Sequence, residues 1–401
     1  MQRDITCLRN IGIITTIDAG KTIARDRIVD LAKAPSGSEG SESVAHGAAP
    51  VTMVSWTPRS GPFADESTSI VIVESAPRVI DGAVLVLDAA RGASEGAESA
   101  FREMRARGIP CLAFVDDVGD ERDFQAITES LAAELDVTAL PLYLPWNDGP
   151  RPQIIDILEQ RLVIEREDGR VRDRRAVPRD ARDIVARLRR RIVEVCAEVD
   201  ESILGATSVG LDIGADELAR ALRKATTARD SRILLVACGS LRARRNVGGL
   251  LDSVVTHLPS PAERPPVFGF DPRREVTVAR FPREGDAFSA IVVGTTNDAS
   301  LGALTWLRVH SGTMRAGAPL LALPSEETGR PSRIFLPDLD ALEEVEEAGP
   351  GSIVCTTGLV GLQPGETLSD ARAPVLLTEV GAAKPAVSSS STRPKLTRIA
   401  P

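Results

Sequence analysis

Residues 11–22 constrain the fold of this 401-residue chain more than any other stretch. An apolar run at 11–14 leads into Thr15-Thr16-Ile17-Asp18-Ala19-Gly20-Lys21-Thr22, and residues 24–33 then carry a helical pattern. Strand, loop and helix in that order, with Gly-Lys-Thr closing the loop, come close to the G-x-x-x-x-G-K-[ST] phosphate loop. That device needs backbone N–H groups at a helix N-terminus to hold phosphate oxygens, a lysine at the outer phosphates and a hydroxyl for Mg2+. Gly20, Lys21 and Thr22 meet the requirement, whereas Thr15 stands where the first small residue belongs. The bland reading is a chance Gly-Lys-Thr in a helix cap. Against it stand the flanking elements and the scarcity of lysine: of 48 basic residues only Lys21, Lys33, Lys224, Lys384 and Lys395 are lysines, and one falls at the required position.

Continuous apolar runs at 70–73, 83–87 and 111–115, with a helix at 95–107 ended by Gly108 and Pro110, argue for a parallel sheet covered on both faces. Residues 34–69, rich in Ser, Gly, Pro and Ala, read as a long loop. Residues 138–178 are mixed and turn-rich. Apolar positions Ile184, Leu188, Ile192, Val195, Val199 and Ile203 mark one long helix from 180, and a second spans 216–224. A strand at 232–237 and a helix lined by Val247, Leu250, Leu251, Val254 and Leu258 follow. Six prolines at 259–282 read as a linker, after which short strands at 288–293, 304–309, 320–323 and 353–357 suggest a small β-barrel. The expected plan is an α/β phosphate-loop domain at 1–262 with an insert at about 138–231, a linker at 263–283, a barrel at 284–380 and a disordered tail at 381–401.

Composition removes other classes. Three distant histidines and five cysteines without a Cys-x-x-Cys pair argue against a zinc site and fit a reducing cytosol. The first ten residues carry charges at Arg3, Asp4 and Arg9 where a signal peptide needs an apolar run, and no apolar stretch approaches the ~20 residues that span a bilayer, so a cytoplasmic protein without membrane contact is expected. Aromatics are 3% of the chain, too lean for base-stacking platforms, and with a net charge of −9 no specific DNA binding is expected. Residues 281–380 carry −8, which works against tight docking on RNA. The Arg-Leu-Arg-Arg-Arg run at 187–191 reads as a solvated helix face paired with Asp180, Asp183, Glu194 and Glu198, with a contact to RNA phosphate as the alternative. Trp306 and His310 read as barrel packing and surface.

Several segments, in order, resemble elongation factor G, a translational GTPase family: Asn-Ile-Gly-Ile-Ile at 10–14, Ile-Asp-Ala-Gly-Lys-Thr at 17–22, Val-Ile-Asp-Gly-Ala-Val-Leu-Val-Leu-Asp-Ala at 79–89 and Gly-Ile-Pro-Cys-Leu-Ala-Phe-Val at 108–115. The match resumes at 233–240, 250–261, 302–312, 343–353 and 364–370, so it covers about residues 9–388. The resemblance implies a P-loop GTPase-like, doubly wound, mostly parallel sheet with an inserted subdomain, then a translation-factor barrel. It also implies GTP or GDP with Mg2+. Lys21 and the 19–22 amides would hold phosphates, Thr22 would bind the metal, and Asp116, Asp117, Ser240 and Leu241 would lie on the base side. The ribosome or another translation component is the implied partner. The family's three C-terminal domains have no counterpart in this sequence, so a truncated relative is expected.

Departures fall where the chemistry would be. The family's Asp-Thr-Pro-Gly-His, whose histidine positions the attacking water, is absent: Glu74-Ser75-Ala76-Pro77-Arg78 runs straight into Val79-Ile80-Asp81. The base-reading Asn-Lys-x-Asp becomes Asp116-Asp117-Val118-Gly119. Losing bonds to a charged partner, at about 1.5–3 kcal/mol each, lowers guanine affinity on the order of a hundredfold to ten-thousandfold. A one-residue slip would make Asp120 the reader. His46-Gly47-Ala48-Ala49 echoes the switch loop, but its Gly-Ile-Thr-Ile segment is absent, leaving Ser67, Thr68 or Ser69 as substitutes. No catalytic residue is assigned. The expectation is a degenerate GTPase acting as a binding or regulatory protein linked to translation. An active or weak hydrolase with relaxed base choice is the alternative, and a decaying duplicate without function a third.

Overall fold

The computed structural model describes residues 4–15, 18–32, 51–58, 60–64, 66–73, 78–92, 94–147, 153–228, 230–338 and 341–377, with backbone alone at 18–20. Apolar runs without alternation make strands buried on both faces, and the central sheet is built from them. β1 (Leu8–Thr15) is followed by α1 (Asp18–Ala32), β2 (Val51–Trp56), β3 (Thr68–Val73), β4 (Gly82–Asp88), α2 (Glu95–Ala106), β5 (Cys111–Asp116), α3 (Glu121–Leu135) and β6 (Thr138–Pro141). Four short strands, β7 (Tyr143–Trp146), β8 (Gln153–Asp156), β9 (Arg161–Glu165) and β10 (Val171–Ala176), form an antiparallel sheet of their own. After α4 (Arg182–Ala197), α5 (Glu201–Ser208) and α6 (Ala215–Thr227) the chain returns to the central sheet as β11 (Ile233–Gly239) and continues into α7 (Val247–His257).

The central sheet has the order β2-β3-β1-β4-β5-β11-β6 and is parallel except for β2, which runs antiparallel to β3. α1 packs on β1, β2 and α7, while α2 packs on β4, β5 and α3. Ile11, Leu85, Leu87, Phe114 and Val236 form its interior. No helix among the described residues is long and apolar enough to cross a membrane.

Four features depart from the sequence reading. Residues 33–50 lie outside the described residues, but the end of the expected loop is β2, which buries Val51, Met53, Val54 and Trp56. β6 completes the edge of the central sheet, so the antiparallel excursion starts at Tyr143 and not at 138. The single helix expected from 180 is two: Asp200 adopts an extended backbone and its carboxylate accepts from the Ser202 amide, capping a new helix. The stretch 263–283, expected as a linker, contains the hairpin β12 (Val267–Asp271) and β13 (Val276–Arg280). Its turn is closed by Asp271 Oδ1, which accepts from the Arg273 and Arg274 amides at 2.9 and 3.2 Å. Pro265, Pro266, Pro272 and Pro282 flank the two strands and do not interrupt them.

The barrel strands are β14 (Ser289–Asp298), β15 (Gly302–Ser311), β16 (Met314–Arg315), β17 (Leu320–Leu323), β18 (Thr328–Gly329), β19 (Arg333–Asp338), β20 (Ala341–Val345), β21 (Glu347–Ala348), β22 (Ile353–Thr357) and β23 (Thr367–Asp370). Eight of them make one antiparallel sheet, in the order β18-β17-β23-β14-β15-β22-β19-β20, around Val292, Leu307, Val309, Met314, Ile334 and Leu368. β24 (Leu376–Leu377) pairs with β12. The two halves share apolar packing: Leu8, Met53, Val71 and Val73 of the sheet lie in one cluster with Ile291, Leu304, Trp306, Phe335 and Ile353 of the barrel. Trp306 is therefore interface packing, with its indole N–H donating to Thr296 Oγ1 at 2.9 Å. The expected tail, 381–401, lies outside the described residues.

Candidate functional site

The parallel strands β1, β4, β5 and β11 end at one edge, the edge at which open α/β sheets bind ligands. β1 ends at Thr15 and α1 begins at Asp18, so only Thr16 and Ile17 connect them; both lie outside the described residues. A helix leaves its first four amides unbonded, so with α1 starting at Asp18 the free ones fall at or before Gly20. The amides of Lys21 and Thr22 enter the helix ladder. This revises the expectation that the 19–22 amides all face a phosphate. A positive helix end remains there for an anion. Lys21 is half-buried and Thr22 exposed. Among the described residues no group of three or more His, Cys, Asp or Glu is placed to hold a metal ion, and Thr22 brings no carboxylate set with it.

Two to three strand steps away, roughly 10–14 Å at ~4.8 Å per step, the base-side residues do meet. Asp116 Oδ1 accepts from the Leu241 amide at 2.7 Å, and Ser240 Oγ donates to Asp117 Oδ1 at 3.0 Å. The Asp117 amide donates to the Gly239 carbonyl at 2.9 Å, with Asp117 in the left-handed region at φ 63°. Gly239 is required here, because a Cβ would overlap the Arg245 carbonyl oxygen and sit 2.7 Å from Phe114 Cζ. Burial pushes the Asp116 carboxyl above its ordinary pKa; the Leu241 amide opposes the rise, and the charges of Asp117 and Asp88 add to it. Asp88, opposite Asp116 in the β4–β5 register, belongs to this acidic edge and was not singled out from sequence. The loop after β11 is tied to α1 by Arg244 and Asp30, 3.0 Å apart.

At the aligned reader position stands Gly119, whose carbonyl accepts from Asn147 Nδ2 at 2.6 Å. Asp120 does not serve as a displaced reader. Its Oδ1 accepts from the Arg122 and Asp123 amides at 2.9 and 3.0 Å and caps α3. The signal was in the sequence: Phe124, Thr128, Leu131 and Leu135 follow at helical spacing and are buried. Asp120→Ala is expected to lower stability by about 1 kcal/mol through the lost cap, with nucleotide affinity unchanged, as read by urea denaturation and nucleotide titration. Ser67, Thr68 and Ser69 are at the wrong edge. Ser69 pairs with Leu8 at the start of β1, seven residues or about 23 Å from Thr15, and Thr68 is buried. His46–Ala49 and Glu74–Pro77 lie outside the described residues.

A second constellation was missed altogether. Asp81, just before β4, accepts from Arg308 Nη2 at 3.1 and 2.8 Å and from Asn10 Nδ2 at 2.8 Å. The Gly351 carbonyl accepts from Asn10 Nδ2 at 3.0 Å and Arg308 Nη1 at 2.7 Å. This buried network joins sheet and barrel. The Arg187–Arg191 run is also more than a solvated face: Arg191 pairs with Glu194 at 3.4 Å, but Arg189 donates to the Leu158 carbonyl at 3.3 Å and to the Ile213 carbonyl.

Comparison with known proteins agrees with this architecture. Residues 287–371 match the family described as elongation factor G domain 2. The elongation factors G of Thermotoga petrophila and Thermotoga maritima are each 32% identical to the chain over 416 aligned positions, covering 96% of it and 58% of their own length. A crystal structure from Thermus thermophilus superposes with a TM-score of 0.70 at 22% identity, covering 91% of this chain and 54% of that one. The chain thus spans somewhat over half the length of the relatives it matches. The chain is similar to elongation factor G along nearly all its length, and its residues 287–371 match that family's second domain.

Proposed function

We propose that the chain works in the cytoplasm, at the translation machinery, as an elongation-factor-G-like binding or regulatory protein that does not turn over GTP. The observation that carries this reading is the base-side edge. Asp116 and Asp117 are engaged by Leu241 and Ser240, Asp120 caps a helix, and the reader position is a glycine. Asp116, Asp117 and Asp120 each already accept at least one hydrogen bond from the protein itself. The sequence also has no counterpart of the water-positioning histidine. Purified protein is expected to hydrolyse GTP no faster than buffer, with or without ribosomes, and Lys21→Ala is expected to change nothing. Hydrolysis that depends on Lys21 would overturn the reading.

A second reading, a weak hydrolase with relaxed base choice, draws on Lys21 near the start of α1, at the edge where such sheets bind phosphates. Titration with GTP, GDP, ATP and ADP in Mg2+ separates the two, and absence of binding at millimolar nucleotide disposes of the second. Co-sedimentation with ribosomes at several salt concentrations tests the partner. Association that vanishes with modest salt is nonspecific electrostatics and counts against specific docking.

A further inference from the structure

The sheet β13-β12-β24 ends at β13, which pairs in unbroken antiparallel register with β12 on one side and, among the described residues, with no strand on the other. In an antiparallel pair about half of a strand's amides and carbonyls point away from its neighbour, so an outermost strand offers them to a further strand. Folded chains ordinarily blunt such an edge with a lysine, a proline or a bulge. β13 has none of these: it reads Val-Thr-Val-Ala-Arg, and its one charge, Arg280, is turned back to the Ala373 carbonyl, which accepts from Nη2 at 2.9 Å. Val276 and Thr277 are exposed, and Phe281, directly after the strand, is 39% exposed.

The charges at its two ends say which strand fits. Glu275 precedes β13 and Arg283 follows it, and neither is in an ion pair among the described residues; the Arg283 guanidinium lies 5.0 Å from the centre of the Phe281 ring. Of the arginines beside Glu275, Arg274 is drawn to the buried Asp271, 3.9 Å away. Acid at one end and base at the other make the edge complementary to its own reverse. Antiparallel pairing about Val278 sets residues 276–280 of two copies against each other and places Phe281 of one opposite Glu275 of the other. Arg283 is then one diagonal step from that Glu275, within reach of a long side chain. Two-fold symmetry makes the contact twice.

We propose that β13 is the docking edge for β13 of a second copy of this chain, the two three-stranded sheets joining into one about a two-fold axis at Val278. The edge is separate from the β1–α1 loop and independent of the nucleotide reading. A strand of five residues buries far less than the ~800 Å2 per partner of a stable complex, so the dimer is weak, with a dissociation constant on the order of 10–100 µM.

Sedimentation equilibrium of the full chain from about 5 to 300 µM, a range that brackets that constant, tests it. A monomer–dimer equilibrium is expected, weakened roughly tenfold or more in Thr277→Lys, which sets a lysine on the edge. Glu275→Arg and Arg283→Glu are each expected to weaken it roughly three- to tenfold, and the double variant to restore it. Poor folding of a single variant cannot mimic that rescue. A chain that stays monomeric at the highest concentration, association undiminished in Thr277→Lys, or a double variant no tighter than the single ones would each overturn the proposal. So would growth beyond the dimer, because a two-fold contact closes at two copies.

Discussion

Asp81→Ala is expected to destabilise the folded chain by about 3–5 kcal/mol, the cost of leaving one partner of a buried ion pair uncompensated. Asp81 and Arg308 are 5% and 4% exposed, so neither finds water when the other is removed. The loss concentrates on Arg308: its guanidinium keeps only the Gly351 carbonyl at 2.7 Å, and Asn10 Nδ2 loses its carboxylate as well. Arg308→Met is the milder lesion, because the Asp81 carboxylate still accepts from Asn10. Combining Asp81→Leu with Arg308→Met should recover most of the loss, since a well-packed apolar pair of similar volume replaces buried charges at little net cost. The measurement is the urea midpoint of the four proteins at unchanged m-value. A cost for Asp81→Ala below about 1 kcal/mol would mean that the guanidinium reaches solvent, and the described seam would be wrong.

That network also marks where sequence reading stops. Asp81 and Arg308 are 227 positions apart, and nothing around either residue announces the other. The strands of the central sheet were legible because burial on both faces writes itself as an unbroken apolar run, as in Ile70-Val71-Ile72-Val73. β2 was not, because one strand of six residues sits at the end of a stretch dominated by small and polar residues. The hairpin β12–β13 was masked by prolines that lie beside its strands and in its turn, where they remove no ladder bond. At the site, the identities Gly20, Lys21 and Thr22 were readable but not where the helix begins, and that register decides which amides stay free. That Asp116, Asp117, Ser240 and Leu241 lie near one another was anticipated only through the family resemblance, and their mutual hydrogen bonds not at all, since strand order is a property of hydrogen bonding that spacing does not encode.

Acidification from pH 6.5 to 4 is expected to destabilise the chain by about 3–4 kcal/mol, with the sign set by two histidines against one aspartate. Burial, with Arg223 adding to it, holds His257 down to a pKa of about 3, and burial with Arg308 does the same for His310. Unfolded histidine takes up its proton near ~6.5, so the unfolded chain binds two protons that the folded chain refuses. The stability these residues contribute is whole above that pH and is lost as pH falls toward 3. Asp156 works the other way: burial and the charge of Glu159 push it up to about 7, so the folded chain holds a proton there that the unfolded one releases near ~3.9. Across pH 4–6.5 the difference is one proton net, about 1.4 kcal/mol per pH unit; below pH 4 the Asp156 offset ends and the fall steepens. Glu263, whose burial is outweighed by its bonds to Arg223, is held at about 2, so its contribution starts to be lost near the ordinary glutamate pKa of ~4.3 and the loss deepens below pH 4. His257→Gln removes one of the two histidine contributions, so its stability should be nearly flat between pH 6.5 and 4 where the native chain falls. Urea denaturation at pH 7, 5.5 and 4 in phosphate-free buffer checks both curves. An equal slope in the two proteins would show that His257 already exchanges its proton in the folded state, and that its side chain is not enclosed between α7 and α6.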